Sequence, residues 1–329
     1  MIPLRFRRLL PDPYIALIIG MVVLASILPA RGVAAIVVGW ATQGAIALLF
    51  FLYGARLSSA AVVAGVSHWR LQLTVLGATF VLFPLLGVVL SVAVRPLLGP
   101  TLASGVLFLC LLPSTVQSSI AFTSIGRGNV PAALCSASVS NLLGIVVTPL
   151  FVGWLMAGHG GFSAAALRDI CLQLLAPFAA GQLLRRWLGP WIATHKRLTG
   201  YVDRASILLV VYSAFSEGVV GGLWQRVSLG DLLMLLVIDA MLLALVLLVT
   251  TVASRRLGFT KEDEVTIVFC GSKKSLASGL PMANVLFAAS TVGVIVLPLM
   301  LFHQIQLMAC AVLARRYGAR ATTGVETSH

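Results

Sequence analysis

The chain has 329 residues, of which 59% are apolar and only 10% are charged, and its mean hydropathy is +1.03. This composition excludes an ordinary soluble globular domain and predicts a polytopic membrane protein. The formal net charge of +13 would suggest nucleic acid binding in a soluble protein, but here the basic residues lie between long apolar runs. Membrane topology explains them better, so we predict a lipid bilayer environment and no nucleic acid partner.

Ten apolar runs, separated by charged or Gly/Pro-rich joints, account for most of the chain. Each is close to or above the length of about 20 residues that a helix needs to cross a bilayer. The predicted spans are 12–30, 34–55, 71–94, 102–126, 131–157, 165–189, 201–225, 230–253, 263–288 and 290–314. The predicted fold class is therefore an all-α polytopic membrane protein, with a short polar cytoplasmic tail at 317–329.

The basic residues provide an independent test of this topology. When the N-terminus is placed in the cytoplasm, seventeen of the 23 Lys and Arg residues fall on the cytoplasmic side and four on the opposite side. This excess is the positive-inside pattern of membrane proteins. It predicts an even number of spans and a multi-pass protein with both termini in the cytoplasm.

Ten spans divide into two sets of five, which we place at 1–160 and 161–316. A set of five helices enters the membrane with opposite orientation in each half. The fourth helix of each set is interrupted by polar residues together with helix breakers, namely Pro113 in the first half and Gly271, Gly279 and Pro281 in the second. Paired interruptions of this kind are typical of inverted-repeat transporters with a binding site near the membrane midplane.

The second interruption contains two adjacent lysines, Lys273 and Lys274, flanked by Ser272, Ser275 and Ser278. A lysine near the bilayer centre costs about 2.5–3.5 kcal/mol on insertion scales, so we predict a substrate or ion site that compensates for it. The alternative is structural: a lysine at a helix break only binds backbone carbonyls and stabilises the break. Adjacent lysines on a helix point roughly 100° apart and cannot both face one ligand.

The first interruption supplies a second set of polar groups. Its candidate binding residues are Ser114, Thr115, Gln117, Ser118 and Ser119. In the fifth span, Ser138 and Asn141 are three residues apart and share a helix face, so we expect them to meet this polar run. The alternative for all of these residues is close helix packing and interhelical hydrogen bonding.

Few carboxylates lie inside the spans. We predict that Glu217 of the seventh span is the counter-ion of one lysine, because an unpaired charge at this depth is rare. Asp239 of the eighth span is the alternative partner. His303, Gln304 and Gln306 of the tenth span are interpreted as polar packing residues rather than ligands.

The sequence carries no signature of an enzyme, because HExxH, GxSxG and clustered His/Asp ligands are absent. The five cysteines lie in apolar runs without CxxC spacing, which is typical of small buried residues in a reduced state. They are Cys110, Cys135, Cys171, Cys270 and Cys310. We therefore predict a protein that is not an enzyme and that has no cofactor and no metal centre.

The segment 271–281, Gly-Ser-Lys-Lys-Ser-Leu-Ala-Ser-Gly-Leu-Pro, resembles the bile acid:sodium symporter superfamily of the solute carrier 10 type. Its residue sequence is similar to that of the branch that contains the seventh member of the carrier family and its bacterial relatives. Phe-Pro-Leu-Leu at 83–86, Arg-Gly-Asn at 127–129 and Tyr-Ser-Ala-Phe at 212–215 fit the same branch. The resemblance covers nearly the whole chain and implies two inverted five-helix repeats whose broken fourth and ninth helices cross.

Few of the residues that bind sodium in the bile acid carriers have an equivalent in this chain. Ser118 and Ser119 fall where the family has a serine and an asparagine, but Ser272 replaces a glutamate and Leu276 a glutamine. The glutamine of the third helix falls near Thr79, and the hydroxyl ligands of the fifth helix fall near Ala133 and Ala137, unless Asn141 compensates for their loss. Because a hard cation needs several oxygen ligands, the resemblance implies a site that has lost its carboxylate and gained ammonium groups.

We hypothesise that Lys273 or Lys274 supplies the positive charge that sodium supplies in the relatives, or else carries a proton. The predicted function is a secondary transporter of the bacterial inner membrane that works by alternating access and carries a small anionic organic solute, with weak or absent sodium coupling. The alternative is a non-transporting membrane regulator of calcium homeostasis, which the resemblance to the seventh-member branch also allows.

Overall fold

The computed structural model describes residues 13–56, 68–156 and 164–323, and within these ranges all regular secondary structure is helical. The helices in chain order are α1 (Pro13–Ile27), α2 (Val33–Arg56), α3 (Trp69–Gly77), a π-helical segment (Ala78–Leu82), α4 (Phe83–Leu111), α5 (Gln117–Ile125), α6 (Val130–Met156), α7 (Ala164–Thr194), α8 (Lys196–Val220), α9 (Leu223–Arg226), α10 (Leu229–Arg256), α11 (Lys261–Gly271), α12 (Leu276–Leu286) and α13 (Ala289–Thr323). The predicted all-α class is confirmed.

Six of the described helical runs are long and apolar enough to cross a membrane. They are Val33–Arg56, Trp69–Leu111, Val130–Met156, Lys196–Val220, Leu229–Arg256 and Ala289–Ala319. Residues Ala16–Ile27 form a shorter apolar helix. The six described spans support a polytopic membrane protein. The count of ten spans stays a prediction.

The run from α3 through α4 bends at Gly99, where φ is 76° and ψ is 170°. This positive φ is readily adopted by glycine and rarely by other residues. Pro100 follows directly, so two helical arms meet at this point. The bend coincides with the joint that the sequence predicts between the third and fourth spans.

The predicted polar tail at 317–329 begins inside α13, which continues to Thr323, and its assignment as a cytoplasmic tail stays a prediction. Tyr317 explains the extension: its ring packs edge-on against Phe269, with centroids 6.1 Å apart, and its hydroxyl donates to Glu264 Oε1 at 3.0 Å. These contacts stabilise another turn of helix. Residues 324–329 of the predicted tail lie outside the described residues.

The chain forms two compact units. One comprises residues 1–56, 177–226 and 287–293, and the other comprises 57–176, 227–286 and 294–329. Each unit draws on both predicted halves of the chain. The division at residue 160 concerns an internal repeat rather than a compact unit, and it stays a prediction.

In the first unit, α1 and α2 both pack against α8. The guanidinium of Arg56 pairs with one carboxylate oxygen of Asp203 where α2 ends, which brings two opposite charges together inside the unit. The indole of Trp224 donates to Ser26 Oγ at 3.0 Å and the hydroxyl of Tyr212 donates to the carbonyl of Leu28 at 2.9 Å. These bonds fix the end of α1 against α8 and α9.

In the second unit, α11 is surrounded by other helices and every residue from Glu264 to Gly271 is buried. One face packs against α3 and α6 through Leu71, Val75, Ala132, Ala133, Ile267 and Cys270. The other face packs against α13 through Val265, Val268, Phe269, Cys310 and Ala314. The short helix that precedes the lysines is therefore the centre of this unit.

The start of α11 is stabilised by ion pairs and by a helix cap. Glu264 is buried, and its Oε1 accepts two hydrogen bonds from Arg255 of α10, at 3.1 and 2.9 Å. Its Oε2 accepts from Lys261 at 2.8 Å. Thr260 caps the helix by accepting from the backbone N–H of Asp263 at 3.2 Å. These contacts fix the direction in which α11 enters the core.

Candidate functional site

The first helix break lies between α4 and α5, at 112–116. Pro113 has no N–H and restricts the residue before it, and Leu112 is accordingly extended, with φ −77° and ψ 156°. The last carbonyls of α4 therefore lose their helical donors. Thr148 of α6 satisfies one of them by donating to Leu111 O at 2.8 Å.

The second helix break lies between α11 and α12, at 272–275. Here the hydroxyls of the first break satisfy the freed carbonyls of α11: Ser114 donates to Cys270 O at 2.6 Å and Ser119 donates to Phe269 O at 3.1 Å. Ser275 caps α12, since its Oγ accepts from the N–H of Ser278 at 3.1 Å. The polar residues of one break thus complete the hydrogen bonds of the other.

The two breaks cross in direct contact. The N–H of Ser275 donates to the carbonyl of Pro113 at 2.9 Å, and a Cβ on Gly279 would lie 2.5 Å from Leu112 Cδ1. Pro113 and Gly271 lie at the predicted interruptions. Gly279 and Pro281 do not, because both lie inside α12. At Gly279, the side chains of Leu112 and Leu299 pack so closely against α12 that both would have to shift to admit a Cβ.

Lys274 is fully buried, and its ammonium lies among three backbone carbonyls. Its Nζ donates to Leu112 O at 2.7 Å, to Cys110 O at 2.9 Å and to Thr79 O at 3.0 Å. The ammonium also lies over the face of the Phe83 ring, with the ring centroid 4.1 Å from Nζ. All three N–H donors of the ammonium are therefore satisfied, and the cation also gains an aromatic face.

The carbonyl of Thr79 is free for a reason that can be traced to the sequence. In the π segment the N–H of Phe83 donates to Ala78 O, five residues back. The next donor in that pattern would be the N–H of Pro84, which proline lacks. Thr79 O consequently has no helical donor and accepts from Lys274 instead.

Lys273 is also fully buried, but its surroundings differ. Its Nζ donates to a single carbonyl, Ser118 O, at 2.9 Å. Two rings face it, Phe122 with its centroid at 4.0 Å and Phe269 at 5.4 Å. The lysines thus bind at two separate places, in line with the prediction that they cannot share one ligand.

The predicted pairing of Glu217 with a lysine stays a prediction. Within the second unit, among the residues that the structure describes, no carboxylate lies within 4.0 Å of either lysine ammonium, and carbonyl oxygens bind the ammonium groups instead. Glu217 belongs to the other compact unit, where Ser213 donates to its Oε1 at 3.4 Å. Asp239 is in the same unit as the lysines, but both its oxygens lack a hydrogen-bond partner within the described ranges. The physical reason is that backbone carbonyls freed at a helix break can solvate an ammonium without a carboxylate.

Most of the other predicted site residues come together at the crossing. Thr115 shares hydrogen bonds with Ser118 at 2.7 Å and Ser119 at 3.1 Å. Ser278 donates to Asn141 Oδ1 at 2.7 Å, so Asn141 meets the second break rather than the first. Ser272 is buried and donates back to Val268 O at 2.6 Å.

Three predicted residues are arranged differently. Gln117 is exposed at the start of α5, and Ser138 is half-buried on α6. The α6 hydroxyl that reaches the first break is that of Ser140, which accepts from the N–H of Ser114 at 3.0 Å. Ser140 lies between Ser138 and Asn141 in sequence but is fully buried, and only the helix packing shows that it is the residue that reaches the break.

Gln306 of α13 is the residue whose role the sequence understated. Its side chain binds the backbone of Lys274 twice, with Oε1 accepting from the N–H at 2.9 Å and Nε2 donating to the carbonyl at 3.0 Å. Its Nε2 also lies 2.8 Å from His303 Nδ1. Gln306 therefore binds both backbone polar groups of Lys274 and holds the broken segment against α13.

Replacing Gln306 with alanine is expected to destabilise the protein, because it leaves the N–H and carbonyl of Lys274 buried without partners. Each such group costs about 1–3 kcal/mol. Thermal unfolding of the detergent-solubilised protein measures the loss. Gln304→Ala, two residues away and half-buried, is the matched control. Equal unfolding temperatures for the two variants would contradict the role given to Gln306.

Comparison with known proteins now places this geometry in a family. A profile of the SBF-like CPA transporter family matches residues 12–319, nearly the entire chain. The chain belongs to that family. The resemblance that the sequence suggested is thereby confirmed, and the protein is a membrane transporter of the bile acid:sodium symporter type rather than an enzyme.

Individual relatives of the SBF-like chain are similar to it over most of their length. An uncharacterized protein of Pseudomonas aeruginosa is 59% identical over 95% of both chains. The putative symporter YfeH of Escherichia coli strain K12 is 55% identical over 93% of this chain and 92% of its own. The sodium/bile acid cotransporter 7 of Rattus norvegicus is 29% identical over 82% of this chain and 80% of its own.

Proposed function

We propose that this chain is a secondary transporter that carries a small organic anion by alternating access, and that lysine ammonium groups at the crossing take the place of sodium. The fold proposed for it has ten spans in two inverted five-helix repeats, in a bacterial inner membrane with both termini cytoplasmic. The observation that carries the proposal is the surroundings of Lys274, whose ammonium is bound by three backbone carbonyls at 2.7–3.0 Å.

Those carbonyls form the kind of site that binds a bare cation. Hard cations prefer several oxygen ligands, and backbone carbonyls freed at broken helices serve this purpose in transporters. Thr79 lies where the resemblance places a sodium ligand of the third helix, and its carbonyl binds Lys274. Ser118 lies where the family has a serine ligand, and its carbonyl binds Lys273. Each ammonium thus corresponds to one place where the relatives would hold an ion.

A fixed positive charge favours an anionic solute. The start of α5 adds to it, because Val116 provides no side-chain cap and leaves backbone N–H groups at the positive end of the helix dipole. Gln117 is exposed there, and Ser118, Ser138 and Asn141 are half-buried. These four side chains are the polar groups proposed to contact the solute, while the buried serines hold the crossing. The rat relative's name refers to bile acids, which are themselves organic anions.

The test is uptake of a panel of organic anions, bile acids included, by purified protein in liposomes. Flux is expected to be equal in sodium and in choline buffers, because the charge that sodium would supply is covalently attached. Neutral analogues of a transported anion are expected to be carried at least tenfold more slowly. Lys196→Ala removes an exposed lysine at the start of α8 and is the control for the loss of one charge.

Two results would contradict the proposal in different ways. Flux that requires sodium would return the lysines to a structural role and indicate an ordinary symporter. Absence of flux for every anion, with folded protein in the liposomes, would favour the alternative of a non-transporting regulator of calcium homeostasis.

A further inference from the structure

Asp239 of α10 is fully buried and has no hydrogen-bond partner for either carboxyl oxygen among the described residues. It lies on the inward face of its helix together with Leu235, Leu242 and Val246, which follow a spacing of four, three and four residues and are all buried. It is the eleventh residue of a 28-residue helix, about 15 Å along the axis from the first. This places the carboxyl near the middle of the membrane.

An ionised carboxylate at that position would destabilise the folded protein. Both an unpaired charge and an unsatisfied polar group in an apolar interior cost several kcal/mol, and a charged group without a partner neutralises instead. The described ranges offer Asp239 no salt bridge and no hydrogen-bond donor. The neutral acid is therefore the form that fits the resting structure, with one proton on the carboxyl group.

The elements that pack against α10 are α11, α4, the π segment and, at Leu247, α13. The titratable groups of the first three are Cys110 and Arg95 of α4 and Lys261, Glu262, Asp263, Glu264 and Cys270 of α11, and the π segment has none. Those of α13 up to residue 319 are His303, Cys310, Arg315, Arg316 and Tyr317. Glu264 is bound by Arg255, which is sixteen residues beyond Asp239 and so about 24 Å along the helix. Among these groups, the thiol of Cys110 interacts electrostatically with Asp239. The carbonyl of that same residue binds Lys274.

We infer that Asp239 is the coupling site for a proton, which it takes up from water on one side of the membrane and releases on the other during each transport cycle. Only an O–H bond forms and breaks: the carboxylate gains a proton when the site is open to one side, and the neutral acid loses it on the opposite side. The inference rests on the proposed function, since with both cation places filled by lysines the driving ion must bind elsewhere. Among the described residues of this unit, Asp239 is a fully buried carboxyl with no partner on either oxygen, so it remains available for a proton.

The first experiment needs no solute. Infrared difference spectra of the full-length protein in lipid nanodiscs, recorded at neutral pH in H2O and D2O, are expected to show the C=O stretch of a protonated carboxylic acid. Asp239→Asn is expected to remove that band. Asp231→Asn, in the capping box at the rim of the same helix, is expected to keep it. A spectrum without a band that depends on Asp239 would overturn the inference.

The second experiment measures coupling. In liposomes, a pH difference of one unit is expected to stimulate flux of a transported anion several-fold in the wild type and in Asp231→Asn. Asp239→Asn, which is permanently neutral, is expected to exchange the anion across the membrane without responding to the pH difference. Stimulation that persists in Asp239→Asn would overturn the inference. If no anion is transported at all, the proposed function fails, and the infrared band then decides the proton site alone.

Discussion

Replacing Lys274 with methionine is expected to lower the unfolding temperature sharply and to make it depend on sodium. Methionine keeps an apolar stem of similar length but removes the ammonium, so the carbonyls of Thr79, Cys110 and Leu112 lose the donor that binds them. Each buried acceptor left without a partner costs about 1–3 kcal/mol. At about 2–4 °C for each kcal/mol in a chain of substantial size, we expect a fall on the order of 10 °C.

Sodium should recover part of this loss in the Lys274→Met variant, because three carbonyl oxygens and an emptied space form a site for a hard cation. A ligand that binds only the folded state stabilises it increasingly with concentration. The measurement is thermal unfolding in sodium chloride against choline chloride at equal ionic strength. Wild-type protein is expected to unfold at the same temperature in both salts.

Lys273→Met is the matched control for the sodium effect. Its ammonium binds one carbonyl and two aromatic rings, so removing it leaves too few oxygens to hold sodium. We expect a smaller fall and the same unfolding temperature in both salts. An unfolding temperature of Lys274→Met that is insensitive to sodium would mean that the three carbonyls are not a cation site.

The breaks were predictable because their causes lie in side-chain chemistry. Pro113 has no N–H, and two lysines in an apolar run require a polar environment, so the sequence alone indicates an interruption at both places. The groups that bind the lysines within the second unit were not predictable in the same way. A search for charged partners finds carboxylates, but the groups that bind the lysines are backbone carbonyls, which every residue carries and no sequence pattern marks.

One signal for those carbonyls is nevertheless present in the sequence. Pro84 follows Phe83 in the third span, and its missing N–H is what frees Thr79 O. Identifying the acceptor required two further facts, the π-helical shift of one residue and the approach of Lys274 from a distant part of the chain. Gly279 shows a similar limit: glycine next to a break suggests backbone freedom, whereas the residue lies inside α12 with the side chains of Leu112 and Leu299 packed closely against it.

Two glycines control the packing of the first unit, and replacing either of them with alanine is expected to lower the stability of the protein substantially. A Cβ on Gly54 of α2 would lie 2.0 Å from the carbonyl oxygen of Phe178, and a Cβ on Gly181 of α7 would lie 2.0 Å from that of Phe51. The two contacts are reciprocal, each joining a glycine to a carbonyl three residues from the other glycine. Antiparallel helices thus touch backbone to backbone at a single crossing.

Gly54→Ala is expected to lower stability by about 1–3 kcal/mol or more, because a backbone carbonyl cannot turn aside as a flexible side chain can. Gly44→Ala on the same helix is the control, since a Cβ there meets nothing within 4 Å. It is expected to be neutral or slightly stabilising, given that alanine favours a helix by about 0.5–1 kcal/mol over glycine.

The double variant tests whether the two contacts form one structural feature. Once Gly54→Ala has pushed α2 away from α7, the second methyl group finds space already made, so Gly181→Ala should add less to the double variant than it costs alone. Thermal unfolding of the two single variants and the double variant gives the coupling free energy. Simple additivity would mean that each glycine is accommodated independently, and the close crossing would then not be a shared constraint on the first unit.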